Sequence, residues 1–235
     1  MKKINNIKCY KKQKIPKRSE KQVETVKARS NSFTTYFSKK NACIVMDDET
    51  YVKMDFKTLP GPQYYTKSVD ENLPLVETTV GIEKFGKKIL VWQAICQCGL
   101  RSRTFLTNVT INKEIYTNEC LKKRLLPFIA SHSGPVIFWP DLASAHYAKT
   151  TLEWLETNNI YTVPKEANPP NVPELRPIER YWALVKKELK NVKKVAQNEK
   201  DFKQKWDSSS KKVTKQVIIN IMSNITTKVK IFSKS

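Results

Sequence analysis

An apolar run that ends in an acid constrains this chain more than any other stretch of its sequence. Val136–Trp139 is apolar, Asp141 follows it, and a helix-like pattern begins at once. An acid at the tip of a buried strand is costly to hold unless a positive charge lies beside it. Asp48 closes a second apolar run, 42–46, and Glu179 opens a helix after a proline-rich loop. These matching settings predict that the three carboxylates meet in space and bind divalent metal ions.

The charge of the chain is strongly positive and is concentrated at its two ends. The formal net charge is +21. Residues 1–40 contain 13 basic and 2 acidic side chains, residues 186–235 contain 14 and 4, and residues 41–185 contain 16 of each. A neutral body between basic arms is typical of a protein that binds a polyanion, because phosphates release counterions when such arms bind. A solvated, lysine-rich surface is the structural alternative.

Basic residues of both arms are therefore the predicted contacts to the phosphates of this polyanion. The cluster at 11–18 is interrupted by Pro16, a pattern also typical of nuclear-import segments, and it predicts a nuclear location. The candidates are Lys11, Lys12, Lys14, Lys17, Arg18, Lys186 and Lys187.

The same composition argues against several other classes of protein. No apolar stretch approaches the ~20 residues that span a bilayer, and the arms lack the aromatic-anchored face of a membrane-surface helix. The N-terminus has no apolar signal-peptide core, so secretion is not expected. The five cysteines are odd in number and lack Cys-x-x-Cys spacing, which predicts reduced thiols in an intracellular protein rather than a structural zinc site.

The order of the predicted elements indicates an α/β fold with a mixed sheet flanked by helices. The run 89–96 is β-branched, aromatic and free of breakers, and 103–106 is expected to pair back on it as a hairpin. Apolar spacing predicts an amphipathic helix over 112–128. The other expected elements are a helix at 19–29 with a capping box, a strand at 42–46 ended by the acids 47–49, a strand over Val136–Trp139, a helix ending near 158, a strand at 160–163, a helix after Pro177 and a last helix around 217–225. An antiparallel start followed by crossover helices favours a ribonuclease H-like sheet over a doubly wound one.

Carboxylates at such positions suit the cleavage of phosphodiester bonds. Two Mg²⁺ ions activate an attacking oxygen and stabilise a leaving one, and a few carboxylates from separate elements suffice to hold them. Each acid also has a structural explanation: Asp48 as a turn cap, Asp141 as a helix cap and Glu179 as a first-turn glutamate. For His146 we expect pairing with a backbone group, with support of the metal site as the alternative.

Four blocks of the sequence resemble the catalytic core of mariner-superfamily DDE transposases, over roughly residues 41–190. The blocks are Val45-Met-Asp-Asp-Glu-Thr-Tyr51, Lys88-Ile-Leu-Val-Trp-Gln-Ala-Ile95, Asp141-Leu-Ala-Ser-Ala-His146 and Asn168-Pro-Pro-Asn-Val-Pro-Glu-Leu-Arg-Pro-Ile-Glu-Arg-Tyr-Trp182. The resemblance implies a ribonuclease H-like fold, with Asp48, Asp141 and Glu179 as the catalytic acids that bind two Mg²⁺ or Mn²⁺ ions. It also implies cleavage at transposon ends, strand transfer into target DNA and a homodimer. The corresponding division is a basic arm at 1–40, a catalytic domain at 41–190 and a basic helical extension at 191–235.

Two departures from the family pattern define the alternative functions. Members of the family carry paired helix-turn-helix modules before the core, where this chain has only its basic arm, and Leu142 stands where the family often has a polar residue. A catalytically inactive, truncated or domesticated DNA-binding protein is therefore the first alternative. A ribonuclease or a resolvase with the same fold is the second, since fold alone does not separate these classes.

Overall fold

The computed structural model describes residues 16–38, 42–59 and 86–234, and these contain one mixed four-stranded sheet flanked by helices. The strands are β1 (Cys43–Lys53), β2 (Lys88–Cys96), β3 (Phe105–Thr107) and β4 (Val136–Trp139), in the order β3-β2-β1-β4. β2 is antiparallel to both β1 and β3, whereas β4 is parallel to β1. The predicted α/β fold class and the predicted hairpin are confirmed.

Helices cover both faces of this sheet. They are α1 (Glu20–Ser38), α2 (Lys113–Ile115), which continues as a π-helix (Tyr116–Leu125) into α3 (Leu126–Ala130), α4 (Lys149–Thr157), α5 (Ile178–Lys190), α6 (Glu199–Lys212), α7 (Lys215–Met222) and α8 (Ile225–Lys234). None of the helices within the described ranges is long and apolar enough to cross a bilayer.

β1 continues through the acids that were expected to end it. It pairs with β2 from Val45, opposite Cys96, to Lys53, opposite Lys88, so Asp48 lies in the middle of the strand. Continuous pairing on this side satisfies the backbone groups of β1, and a polar side chain therefore does not terminate it. β4 pairs with β1 only as far as Met46, so the strand pairing on that side of β1 ends just before the acids.

Two apolar clusters lie on opposite faces of the sheet. The larger contains Ile44 and Met46 of β1, and the smaller contains Val45, because side chains alternate along a strand. The larger cluster also includes Phe33 of α1 and Trp206 of α6. The buried core therefore extends across the boundaries between the predicted segments, which were expected at residues 40 and 190.

Local sequence explains where several helices begin. Gln22 accepts from the Ser19 backbone N–H at 2.9 Å, and the Ser19 hydroxyl accepts from the Gln22 N–H at 3.4 Å, which is the predicted capping box. Asn112 caps α2 in the same way, with its side chain accepting from the Ile115 N–H at 2.8 Å.

The predictions for residues 160–163 and 55–75 also differ from the structure. Residues 160–163 form a single parallel bridge, Phe138 to Thr162, instead of a strand, since Pro164 follows and leads directly into a 3₁₀ turn at Lys165–Ala167. The proline-rich excursion expected at 55–75 is a 3₁₀ turn at Phe56–Thr58, and the remainder of that prediction falls at 60–75, outside the described residues.

Candidate active site

Strand register brings Asp48 beside Asp141. Met46 of β1 lies opposite Trp139 of β4, and each acid follows two residues later in the same direction. Oxygen atoms of Asp48, Asp141 and Glu49 all lie within 4.8 Å of one another, a spacing that can hold a metal ion. The parallel pairing of two strands thus creates the carboxylate group.

Asp48 is half-buried on the face covered by α5. Its Oδ1 accepts from the Glu49 backbone N–H at 2.8 Å, and its Oδ2 accepts from Trp182 Nε1 at 3.2 Å. Burial raises the pKa of Asp48 to about 7; the Arg176 guanidinium opposes this rise, while the carboxylates of Glu179, Glu49 and Asp141 add to it. The negative form of Asp48 is therefore costly unless a cation compensates it.

Asp141 is held ionised by its neighbours. Its Oδ1 accepts from the Ala143 N–H at 2.8 Å and lies against His146 Nδ1. Burial would raise the pKa of Asp141, but His146 and the Ala143 N–H hold it at about 2. Its side chain is 33% exposed, so the ionised carboxylate is open to solvent.

His146 bridges two acids of the site. The side chain is 1% exposed, its Nε2 lies 3.4 Å from Glu49 Oε1, and its ring stacks on Tyr116 with centroids 4.1 Å apart. Burial would lower the pKa of His146, but Asp141, Glu49 and Asp47 raise it well above the usual value. The expected pairing with a backbone group is therefore wrong, because the ring nitrogens contact carboxylates.

Asp47 is fully buried on the opposite face of β1 from Asp48. Its Oδ2 accepts from Trp92 Nε1 at 3.0 Å and from the Tyr116 hydroxyl at 2.6 Å, whereas Oδ1 has no hydrogen-bond partner in the described parts of the chain. Burial raises the pKa of Asp47 to about 6. The alternation of side chains along β1 thus separates a structural acid from a candidate ligand one residue away.

Glu179 lies in the first turn of α5 and is exposed. Its charge contributes to the raised pKa of Asp48, but Glu179 is not one of the acids whose oxygens lie within 4.8 Å of one another. Glu49 takes that third position. The sequence signal for Glu49 was its place in the acidic trio 47–49. Alternation along β1 puts Glu49 on the side of Asp47, and β4 leaves this edge of β1 unpaired beyond Met46.

The proline-rich loop before α5 fixes the ends of the strands. Arg176 donates from Nη1 to the Trp139 carbonyl at 2.9 Å and from Nη2 to the Asp47 carbonyl at 2.5 Å. Asn168 is buried; its Oδ1 accepts from Trp139 Nε1 at 2.8 Å and its Nδ2 donates to the Pro140 carbonyl at 3.0 Å. The loop therefore positions the turn that carries Asp141.

Of the predicted DNA contacts, two are exposed and one lies inside the protein. Lys17 and Lys187 are exposed. Arg18 donates to Glu174 at 2.8 Å and to the Asn171 carbonyl at 2.9 Å, so its guanidinium makes a tertiary contact, and a phosphate contact by Arg18 stays a prediction. Lys11, Lys12 and Lys14 lie outside the described residues.

Lys186 belongs to the carboxylate site and not to a basic arm. Its Nζ donates to the Thr50 hydroxyl at 2.7 Å. Burial lowers the pKa of Lys186, and the charges of Glu179 and Asp48 oppose this. An ammonium group therefore lies at the edge of the acidic cluster, on the helix that carries Glu179.

No protein-family model and no curated protein matches the sequence. Solved structures of Mos1 mariner transposase do match. A paired-end complex of that transposase with the left transposon end is 19% identical over 98% of this chain and 67% of the other, with a TM-score of 0.74. Its catalytic domain is 15% identical over 94% of this chain and 97% of the other, with a TM-score of 0.64. The structure of the same domain with raltegravir and Mg is 16% identical over 93% of this chain and 96% of the other, with a TM-score of 0.65.

The architecture and these similarities agree with each other. The described residues contain a mixed sheet flanked by helices, and the structural similarity covers 97% of the Mos1 catalytic domain. The chain therefore has the ribonuclease H-like fold of the mariner transposase catalytic domain.

Proposed function

We propose that this chain is the catalytic core of a DNA transposase that cleaves and rejoins phosphodiester bonds with divalent metal ions. The observation that carries the proposal is the convergence of Asp48, inside β1, with Asp141, which lies just beyond the end of the parallel strand β4. The similarity to Mos1 structures, several of which contain Mg or Mn, supports it. By this proposal Asp48, Asp141 and Glu179 hold two Mg²⁺ or Mn²⁺ ions.

The donor atoms of the site fit such ions. All three are carboxylate oxygens, the hard ligands that Mg²⁺ and Mn²⁺ prefer. Burial and neighbouring negative charges raise the pKa of Asp48 to about 7, a cost that a bound cation removes. When bound, the ions supply activation of the attacking oxygen and stabilisation of the leaving oxygen.

The surrounding side chains hold these ligands in place. Trp182 fixes one oxygen of Asp48, and the Ala143 N–H together with His146 fixes Asp141. His146 also contacts Glu49, which assigns Glu49 a supporting role through the imidazole. Groups that orient ligands in this way preorganise a site before substrate arrives.

DNA binding is proposed to follow the distribution of basic residues. Lys186 donates to Thr50 and its pKa responds to the charges of Glu179 and Asp48, so it can neutralise a phosphate close to the reacting group. Lys17 and Lys187 are exposed and suit backbone phosphates without sequence preference. Transposon ends and target DNA as substrates, a homodimer and a nuclear location complete the proposal.

Nicking of supercoiled plasmid tests the proposed chemistry. We expect cleavage with Mg²⁺ or Mn²⁺ and at least a hundredfold loss in Asp141→Asn, because the change removes a ligand charge. Asp201→Asn is the matched control, since Asp201 contacts groups at the start of its own helix. Equal nicking by wild type and Asp141→Asn would overturn the proposal, and salt-sensitive DNA binding without cleavage would indicate the inactive DNA-binding alternative. Preference for an RNA–DNA hybrid or a four-way junction would identify a ribonuclease or a resolvase.

A further inference from the structure

Three cysteines and a histidine converge at a second site, away from the carboxylates. Cys43 is the first residue of β1, Cys96 is the last residue of β2, Cys98 lies in the turn that follows, and His132 lies between α3 and β4. One ligand atom from each residue lies within 4.8 Å of those from the other three. Cys43 precedes Asp48 by five residues, about 16 Å along a strand, so the two sites are separate.

Backbone hydrogen bonds fix the segments that carry these four side chains. Gln97 N–H donates to the Ile44 carbonyl at 3.0 Å, which ties the turn after β2 to the start of β1. Cys43 N–H donates to the Pro135 carbonyl at 2.9 Å, which ties β1 to the segment after His132. The ligands therefore approach each other because of sheet register, although they are widely spaced in the sequence.

The set of donor atoms is chemically specific. Three thiols and one imidazole are ligands of structural zinc, which binds them tetrahedrally with ligand atoms ~3.8 Å apart. The four atoms here lie within 4.8 Å, and the Cys96 and Cys98 sulfurs are 2.7 Å apart. In a tetrahedral zinc site the Cys96 and Cys98 sulfurs would move apart by about 1 Å.

His132 provides an independent indication of a missing ligand. Its Nδ1 lies 2.9 Å from the Phe128 carbonyl, which selects the tautomer with a proton on Nδ1 and a lone pair on Nε2. Nε2 is buried and has no hydrogen-bond partner in the residues that the structure covers. A buried acceptor without a partner is costly, and a metal ion at this position would satisfy it.

We propose that Cys43, Cys96, Cys98 and His132 form a structural zinc site, independent of the proposed DNA chemistry. The ion would join the start of β1, the end of β2 and the connection into β4, which are three segments of the sheet that also carries Asp48. A surface cavity of about 380 Å³ lined by Cys43, Cys98 and His132 gives zinc access to the ligands. This proposal reverses the expectation from cysteine spacing, which argued against structural zinc, because zinc signatures in sequence are short-range and these ligands meet only in the fold.

Metal analysis of the full chain tests the site directly. The chain is purified with a reductant and without a chelator, in a background of Asp48→Asn and Asp141→Asn that removes the carboxylate site. We expect one zinc per chain, and we expect Co²⁺ in place of zinc to give the absorption bands of a tetrahedral thiolate complex. The intact mass of the chain in the same sample shows whether its cysteines are reduced thiols.

Variants assign the ligands. Cys98→Ser and His132→Ala should each lower zinc affinity at least tenfold, whereas His132→Cys should retain zinc with a shifted cobalt spectrum. Cys120→Ala is the matched control, since Cys120 is a buried cysteine outside the group, and it should leave zinc binding unchanged. If a variant does not fold, competition between the parent chain and a chromophoric chelator decides the question alone. The proposal would be overturned if the reduced parent chain bound zinc no more tightly than Cys98→Ser. It would also be overturned if the intact mass were two hydrogens lower because two of these cysteines form a disulfide.

Discussion

Trp182 Nε1 donates to Asp48 Oδ2 at 3.2 Å, and this bond joins the central strand to the helix that carries Glu179. Trp182 and Glu179 are three residues apart on α5, so they occupy neighbouring positions on one face of the helix. One indole therefore fixes an oxygen of the first proposed ligand and the orientation of the helix that presents the third.

Replacement of Trp182 by Phe should weaken metal binding without unfolding the chain. The ring volume is largely kept, but Asp48 loses the donor that orients it, so Mn²⁺ affinity should fall about tenfold. Calorimetric titration with Mn²⁺ measures this. Trp206→Phe is the control, because Trp206 is equally buried in the same cluster and its Nε1 has no partner among the described residues. Equal affinity in the two variants would contradict the orienting role.

Substitution of the two glutamates distinguishes the ligands from their supports. Glu179→Gln should abolish nicking, since it removes a proposed ligand charge. Glu49→Gln should reduce nicking only about tenfold, because Glu49 acts through His146. The measurement is the nicking rate against Mn²⁺ concentration. The reverse order of effects would assign the third ligand to Glu49, the acid whose oxygen lies closest to the pair.

The stability of the metal-free chain should fall as pH rises through the acidic range. The pKa of Asp48 is raised to about 7 and that of Asp47 to about 6 in the folded state. Because these folded values exceed the unfolded ones, both acids stabilise the fold when protonated and lose that contribution between about pH 4 and pH 7. Melting temperatures of wild type and Asp48→Asn across this range, without divalent ions, measure the effect. The fall should be smaller in Asp48→Asn, and saturating Mn²⁺ should reduce it in wild type; identical curves would contradict the assignment.

Arg18 and Lys17 should have opposite roles although they are adjacent. Arg18→Ala removes a partly buried pair with Glu174 and should cost about 1–3 kcal/mol of unfolding free energy. Lys17→Ala should leave stability unchanged and lower the salt dependence of DNA binding, because Lys17 is exposed. Denaturant unfolding and DNA binding at several salt concentrations separate the two effects. A destabilising Lys17→Ala with a neutral Arg18→Ala would contradict this assignment.

Local sequence patterns predicted the elements of the fold better than the contacts between them. The apolar run before Asp141 identified β4 correctly, and Ser19 with Gln22 identified the start of α1. Asp48 was expected at the end of a strand and lies inside one, because pairing with β2 continues beyond the apolar residues. Whether the three predicted acids act together as metal ligands stays a prediction.

The features that the sequence did not reveal depend on register between distant segments. Glu49 lies close to Asp48 and Asp141 at an edge of β1 that β4, which ends at Trp139, leaves unpaired beyond Met46. His132 meets Cys43 only because the segment after α3 returns to the start of β1. Neither the length of β4 nor this return is encoded within a short window of residues, so periodicity and spacing could not identify them.

Arg176 gives the site a property beyond support. Its planar guanidinium donates to the Trp139 carbonyl of β4 and to the Asp47 carbonyl of β1. Arg176 therefore bridges the gap between the two segments that carry Asp141 and Asp48. We infer that the width of the gap depends on this one side chain, because its two bonds oppose separation of the strands by mutual repulsion of the acids. A gap of fixed width selects ions by radius, so we expect this centre to discriminate Mg²⁺, with bonds of about 2.1 Å, from Ca²⁺, which needs about 2.4 Å.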